Sequence, residues 1–334
     1  MPEMRKNPVS REWIIVAPER ANRPHSHLTT DITGNPHQAH HSDCPFCPGN
    51  EHLTPKETLI YKNDHSGWDL RAIANKFPAL NKTNSFSINK NNPLEEHAFA
   101  EGISEVIIET PHHSKNIAFY SLEEIELLIK AYKERYTGIS KEKNIKFVSI
   151  FKNNGKKSGA SISHAHSQII GIPVVPPVIE HEISSAAKYY EEKGSCIFCD
   201  NIALEIKEKT RIIFENEDFI SFLPFASRFP FEIMIVPKFH SSKFQFINDL
   251  QIKKLAEIMK AVLYKLYEGL ENPPYNYYIH TSPVGKNAGE FYHWHIELIP
   301  RNLSPGGFEL CTGIYINISS PEANAKILRE IEVK

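Results

Sequence analysis

The sequence predicts an α+β fold made of two tandem copies of one unit, each an antiparallel sheet with helices packed on one side. Three observations predict it. Short β-branched runs alternate with longer amphipathic patterns, a Cys-x-x-Cys pair occurs twice, and a His-x-His pair follows each of them in the same order. A chain of 334 residues can give each copy its own core. The proline-rich segment 173–177 is the predicted boundary, which divides the chain into 1–175 and 176–334.

The composition excludes several classes of protein. With 38 basic and 40 acidic residues and a formal net charge of -2, the chain lacks the basic surface that nucleic acid or an anionic membrane would require. No apolar run approaches the roughly 20 residues of a membrane span, and no apolar signal segment opens the sequence. We therefore expect a cytoplasmic protein. In such a chain, two Cys-x-x-Cys pairs among five cysteines indicate metal or redox chemistry rather than disulfides.

The elements of the first copy follow from periodicity. Apolar runs at 13–17 and 104–110 predict strands. Residues 121–139 predict an amphipathic helix that begins with a capping box of Ser121 and Glu124, and its apolar stripe belongs to the core.

The first His-x-His pair lies in the segment Gly-Ala-Ser-Ile-Ser-His-Ala-His-Ser-Gln at 159–168. The β-branched runs 147–151 and 169–173 flank it, which predicts a strand, a loop and a second strand. Residues i and i+2 of an extended segment point to the same side, so His164 and His166 should open into one site.

The residues around this pair indicate a phosphate ligand. Gly159 allows close backbone approach, and Ser161 and Gln168 can donate hydrogen bonds. An imidazole can ligate a metal, transfer a proton or attack an electrophile. A lone histidine in a strand is more often a satisfied core residue, but a His-x-His pair in this setting favours a functional site.

The second half of the chain repeats the first in order. Residues 179–193 form a helical pattern after the boundary. A strand pattern at 231–237, an amphipathic helix at 249–270 and a strand at 277–281 then match their counterparts in the first half. His293 and His295 form the second His-x-His pair.

The spacing of cysteines and histidines predicts two tetrahedral zinc sites. From His113 to His164 is 51 residues, and from His240 to His293 is 53. Two copies of Cys-x-x-Cys, His and His in one order are typical of duplicated zinc sites. A redox pair is the alternative for the first two cysteines, although no helical pattern follows them. The predicted ligands are Cys44, Cys47, His113 and His164 for the first ion and Cys196, Cys199, His240 and His293 for the second.

A site with four protein ligands is closed, so the chemistry must come from another residue. His166 is the predicted nucleophile because of its Gly-Ala-Ser and Gln neighbours. His295 is interpreted as a packing or hydrogen-bonding residue, with a fifth metal ligand as the alternative. Arg20 is either a surface charge or a phosphate clamp. The His-rich loop 25–43 is either solvated or a metal-binding tract.

Five stretches of the sequence carry a resemblance to a known family. They are Cys-Pro-Phe-Cys-Pro-Gly-Asn at 44–50, His-His-Ser-Lys at 112–115, Phe-Lys-Asn-Asn-Gly at 151–155, Ser-Gly-Ala-Ser-Ile-Ser-His-Ala-His-Ser-Gln at 158–168 and Pro-Phe-Ala-Ser-Arg-Phe-Pro-Phe-Glu at 224–232. Together they resemble the galactose-1-phosphate uridylyltransferases, which are tandem members of the histidine triad superfamily. The resemblance covers nearly the whole chain and is closest to the branch that includes plant ADP-glucose phosphorylase.

The resemblance implies a ping-pong nucleotidyl transfer by a homodimer made of two histidine-triad-like repeats per chain. His166 matches the histidine that attacks the α-phosphorus of a UDP-sugar and releases a sugar 1-phosphate, and Gln168 matches the residue that holds the transferred phosphate. The implied zinc ions are structural, and the second site is open to zinc or iron. The implied substrate-binding residues are Arg20, Asn75, Asn153, Gly159, Ser161 and Phe308.

The resemblance leaves the substrates open. The segment 306–313 retains Phe308 but lacks the lysine and glutamate that contact the sugar phosphate in galactose-specific members. A UDP-glucose–hexose-1-phosphate uridylyltransferase is the first hypothesis. The alternatives are an ADP-sugar adenylyltransferase or phosphorylase, and a histidine-triad hydrolase with water as acceptor. A non-enzymatic zinc-ribbon module for nucleic acid is disfavoured by the charge balance.

Overall fold

A ten-stranded antiparallel sheet runs through both halves of the chain. The computed structural model describes residues 2–18, 40–64, 67–82, 86–92 and 94–333. The strands of the described residues are β1 Glu3–Lys6, β2 Trp13–Val16, β3 Glu57–Lys62, β4 Trp68–Ala74, β5 Ile103–Ile108, β6 Phe147–Asn154, β7 His166–Ile172, β8 Ile212–Glu215, β9 Phe219–Phe222, β10 Ile233–Pro237, β11 Tyr275–His280, β12 His295–Pro300 and β13 Ile316–Asn317. The α-helices there are α1 Leu122–Ser140, α2 Pro177–Lys193, α3 Ile197–Glu208, α4 Asp249–Gly269, α5 Gly307–Thr312 and α6 Pro321–Arg329.

The order of the strands reveals the duplication. Across the large sheet the order is β3-β4-β5-β7-β6-β11-β12-β10-β9-β8. Outward from the centre, β6, β7, β5, β4 and β3 correspond to β11, β12, β10, β9 and β8. The two halves join where β6 and β11 pair antiparallel, with Phe151 opposite Tyr278. The prediction of two antiparallel repeats is therefore confirmed, and the structure joins the two repeats into one sheet.

The long helix of each repeat lies on the same face of the sheet. α1 begins with the predicted capping box of Ser121 and Glu124, and α4 begins with an equivalent box of Asn248 and Gln251. The apolar stripes of both helices join one core with the inward-facing strand residues, among them Ile150 of the central strand. The predicted packing of helices on one side is confirmed for this pair.

The opposite face carries the second pair of helices. Ile179 and Ile183 of α2 pack with Phe147 of β6, and Ile202 of α3 packs with Met234 of β10. The first Cys-x-x-Cys segment covers β4 and β5 on this face, through the contacts of Cys44 with its apolar neighbours. The start of β7 lies between these covers, where Asn153 of β6 and Gln168 of β7 form a half-buried polar strip of the sheet.

A small sheet joins the ends of the described chain. β2 pairs with β1 and, in parallel, with β13, so that Ile316 lies opposite Ile15. The strand predicted at 13–17 is confirmed. The loop 25–43 falls almost entirely outside the described residues, which resume at residue 40. Among the helices that the structure describes, none combines the length and apolar character needed to cross a lipid bilayer.

Candidate active site

His164 and His166 lie where the loop after β6 enters β7. His166 is the first residue of β7 and lies opposite Ile108, the last residue of β5. His164 is fully buried, and His166 is 8% exposed. The two histidines therefore occupy adjacent positions with different access to the surface.

The four ligands predicted for the first ion come together around one point. Their ligand atoms all lie within 4.8 Å of one another. Sγ of Cys47 is 3.4 Å from Nδ1 of His113 and 3.6 Å from Nδ1 of His164, and Sγ of Cys44 is 3.6 Å from the same His164 atom. A tetrahedral ion bonded at about 2.3 Å to sulfur and about 2.0 Å to nitrogen would hold such atoms about 3.5 Å apart. The donor set therefore fits a tetrahedral metal ion.

The surroundings of His164 orient it as a ligand. Its Nε2 donates a hydrogen bond to the Thr110 carbonyl at 2.8 Å, which leaves the Nδ1 lone pair directed at the cysteines. Burial lowers the pKa of His164 to about 4, so the ring is in the neutral form that binds metals. Phe46, between the two cysteines, packs against the rings of His164 and His166 with centroid distances of 6.1 and 5.4 Å.

The second predicted ligand set has the same arrangement. The four ligand atoms of Cys196, Cys199, His240 and His293 also lie within 4.8 Å of one another. Sγ of Cys199 is 3.3 Å from Nδ1 of His240 and 3.7 Å from Nδ1 of His293. Nε2 of His293 donates to the Pro237 carbonyl at 2.9 Å, as His164 does to Thr110. His240 is exposed, so this cluster lies nearer the surface than the first.

The hydrogen bond of His166 determines which ring nitrogen is available. Its Nδ1 is 2.8 Å from the carbonyl oxygen of His164. Because a carbonyl only accepts, Nδ1 carries the proton and Nε2 carries the lone pair. Burial lowers the pKa of His166, and the nearby Lys152 ammonium lowers it further. A neutral imidazole with Nε2 unprotonated is the form that can attack an electrophile.

Several predicted phosphate-binding residues lie near this ring. Gln168 is half-buried two residues further along β7, on the same side of the strand. Asn153 is the penultimate residue of β6 and lies beside Gly159, and its Oδ1 accepts a hydrogen bond from Asn276 at 2.7 Å. Gly159 has φ +93°, a left-handed conformation that favours glycine at this turn. Ser161 is exposed in the same loop.

Two predicted residues are not brought to His166. The backbone amide of Asn75 donates to the Ser104 carbonyl at 2.8 Å. Ser104 lies about 13 Å along β5 from Ile108, the residue opposite His166. Asn75 also lines a cavity of about 540 Å³. Phe308 is 45% exposed in α5, and no described contact joins it to His166. Arg20 lies outside the described residues.

The structure also contains a cluster that the sequence patterns did not reveal. His295 belongs with Glu182, His280 and Glu297, and the ligand atoms of these four residues lie within 4.8 Å of one another. Nδ1 of His295 lies 3.1 Å from the His293 carbonyl, so hydrogen bonding was predicted correctly for this residue. Its carboxylate neighbours were missed, although Glu182 occupies an inward position in the stripe of α2.

Both carboxylates of this cluster already have side-chain partners. Nδ1 of His280 is 3.0 Å from Glu182, and Arg228 forms an ion pair with Glu297. Although burial lowers it, the pKa of His280 is raised overall because of Glu182. A metal ion at this point would have to replace those contacts.

Comparisons with known proteins place the chain in a family. The family model for galactose-1-phosphate uridyl transferase, N-terminal domain, matches residues 1–176, and the model for the C-terminal domain matches residues 182–304. The chain therefore belongs to the galactose-1-phosphate uridylyltransferase family.

Individual relatives cover almost the whole chain. An ADP-glucose phosphorylase of Arabidopsis thaliana is 37% identical over 99% of this chain and 93% of its own length. A galactose-1-phosphate uridylyltransferase of Thermotoga maritima is 31% identical over the full length of both proteins. The crystal structure of an Arabidopsis thaliana ADP-glucose phosphorylase with bound ADP-glucose superposes with a TM-score of 0.85 at 36% identity, covering 99% of this chain and 100% of that one.

The first Cys/His cluster can be tested as a metal site by substituting Cys44. The Cys44→Ser variant should lose about one equivalent of bound metal and melt on the order of 10 °C lower, because binding of a structural ion contributes directly to folding. Metal content by mass spectrometry and thermal unfolding measure both effects. Cys311→Ser is the matched control, since Cys311 is exposed and belongs to neither Cys/His cluster. Unchanged metal content in Cys44→Ser would contradict the assignment.

Proposed function

We propose that this protein is a nucleotidyltransferase that carries a nucleoside monophosphate group on His166 between a nucleoside diphosphate sugar and a phosphate-bearing acceptor. One observation carries the proposal. The Nδ1–H of His166 is committed to the carbonyl of His164, so Nε2 presents a lone pair beside the polar strip of the sheet. Membership of the galactose-1-phosphate uridylyltransferase family supports the same chemistry.

The proposed reaction has two displacements at the same phosphorus atom. Nε2 of His166 attacks the α-phosphorus, the phosphorus–oxygen bond to the sugar phosphate breaks, and sugar 1-phosphate leaves. An oxygen of the acceptor phosphate then attacks, and the phosphorus–nitrogen bond breaks to restore the neutral ring. Imidazole suits both steps because it is a good nucleophile and a good leaving group.

The remaining predicted residues are assigned supporting roles in this proposal. Gln168, Gly159 and Ser161 would bind the oxygens of the transferred phosphate, where fixed donors stabilise developing charge. Asn153 would bind the nucleotide near its phosphate, and Asn75, further along the sheet, would bind its nucleoside end. Arg20 stays a predicted phosphate ligand.

Zinc is the proposed ion in both Cys/His clusters. Pairs of thiolate and imidazole ligands in a tetrahedral arrangement are typical of this metal. With four protein ligands each, the ions would be structural, and the first would hold the loop that positions His166.

The group proposed to be transferred is adenylyl, with ADP-glucose as donor and inorganic phosphate as acceptor. Two observations support it over uridylyl transfer. The identity to the ADP-glucose phosphorylase is higher, and the segment around Phe308 lacks the lysine and glutamate of galactose-specific members. Uridylyl transfer between UDP-glucose and a hexose 1-phosphate is the second candidate, favoured by both family models.

The adduct on the enzyme tests this proposal. We expect intact-protein mass spectrometry to detect one adenylyl group after the protein is mixed with ADP-glucose alone, and no adduct in His166→Ala. Inorganic phosphate should then discharge the adduct as ADP. The control His52→Ala, which removes an exposed histidine, should form the adduct normally.

Other outcomes are equally informative. A uridylyl adduct from UDP-glucose alone would move the protein to the second candidate. Free nucleotide without any adduct, and with turnover retained in His166→Ala, would contradict the proposed mechanism and favour a hydrolase.

A homodimer is also proposed, in which Phe308 of one chain completes the site of the other. Large apolar side chains on the surface support it: Phe77, Leu94, Phe99 and Leu310 are 85%, 92%, 79% and 78% exposed. Light scattering should give twice the mass of one chain at micromolar concentration. A monomer with full activity would contradict the shared site.

A further inference from the structure

A buried ion pair lies beneath the backbone of His166. Nζ of Lys152 is 2.7 Å from Oε2 of Glu109, and the two side chains are 1% and 0% exposed. Both side chains lie on the face of the sheet that α1 and α4 cover, opposite to the ring of His166. Removing two charges from water is costly, and apolar residues of similar size usually serve stability at least as well. The pair therefore calls for an explanation beyond packing.

The pair joins three neighbouring strands at the point where β7 begins. Lys152 belongs to β6, Glu109 follows β5, and β7 lies between them. Besides Glu109, the Lys152 ammonium donates to the carbonyl oxygen of His166 at 3.3 Å. The pair thus contacts the main chain of the residue whose ring faces the other side of the sheet.

The segment that contains Glu109 also forms hydrogen bonds with the two residues that precede His166. The backbone amide of Glu109 donates to the Ala165 carbonyl at 3.2 Å. The next residue, Thr110, accepts the hydrogen bond from the His164 ring. Three consecutive residues, from His164 to His166, are therefore fixed by two residues of one segment and by the lysine that pairs with it.

Tyrosines extend the support to the residue after His166. The hydroxyl of Tyr132, on α1, donates to Oγ of Ser167 at 2.8 Å and lies 2.5 Å from the hydroxyl of Tyr277. Tyr120 donates to Glu109 at 3.5 Å. All three tyrosines are fully buried. The backbone on both sides of His166 is thus anchored to a polar network inside the core.

We propose that the Lys152–Glu109 pair is a positioning element for the nucleophile: it fixes the His166 backbone so that Nε2 meets the α-phosphorus in line. This inference rests on the proposed role of His166. Displacement at phosphorus depends on alignment, and a shift of about 1 Å in a reacting group can cost about 100-fold in rate. The network acts through the backbone and does not touch the substrate.

The test removes both charges together. In Lys152→Met/Glu109→Leu no unpaired charge remains in the core, so the fold and both metal ions should be retained. Single-turnover nucleotidylation with ADP-glucose, and with UDP-glucose if that is the donor, should be about 100-fold slower. The final amount of adduct and the KM should stay within about twofold of wild type, a split between rate and binding that a general loss of structure would not give.

A second buried pair supplies the matched control. Arg211 and Glu205 are 3.0 Å apart, with side chains 6% and 1% exposed, in the second repeat. Arg211→Met/Glu205→Leu should keep the nucleotidylation rate within about twofold of wild type. A wild-type rate in Lys152→Met/Glu109→Leu would overturn the inference.

A milder change decides the matter if the first double variant does not fold. Tyr132→Phe removes one hydroxyl of the same network, which contacts Ser167 and Tyr277, and it should slow nucleotidylation several-fold at unchanged KM. A wild-type rate in this variant would then overturn the inference. Failure of the proposed function itself looks different, since wild-type protein would form no adduct and His166→Ala would keep its turnover.

Discussion

The hydrogen bond between the ring of His166 and the carbonyl of His164 is the contact on which the site depends. It commits Nδ1 as a donor and leaves Nε2 as a neutral base. This bond keeps its geometry only if His164 is immobile. His164 bonds to the Thr110 carbonyl and lies in a candidate metal-binding cluster with three other residues. A structural ion would therefore serve the chemistry without taking part in it, by fixing the residue that selects the tautomer.

Duplication produced the same arrangement twice, but the two histidines differ in exposure and in their neighbours. In the second repeat His295 bonds to the His293 carbonyl, as His166 does to that of His164. Its ring, however, is 1% exposed and lies in the cluster with Glu182, which α2 contributes from the same face of the sheet. In the first repeat, the corresponding position is next to the polar strip. Helix α2 thus places a buried carboxylate, that of Glu182, in the cluster with His295.

Sequence patterns predicted the elements whose cause is local or repeated. The capping box at Ser121 and both Cys/His sets could be found because capping and metal ligation leave fixed spacings. The Lys152–Glu109 pair could not, because its partners are 43 residues apart and their pairing depends on strand order. Its one signal is a charge at an inward-facing position of β6. The roles of the site residues and the boundary at 175 stay predictions, since they depend on bound substrate and on independent folding.

The central claim is tested most directly by identifying the histidine ring nitrogen to which the nucleotide becomes attached. Protein labelled with ¹⁵N in histidine would be loaded with nucleotide, and phosphorus–nitrogen coupling would be measured by NMR. The hydrogen bond to His164 predicts phosphorus on Nε2 of His166, with Nδ1 still protonated. Phosphorus on Nδ1, or on any other residue, would contradict the claim that the backbone carbonyl of His164 selects the nucleophilic nitrogen.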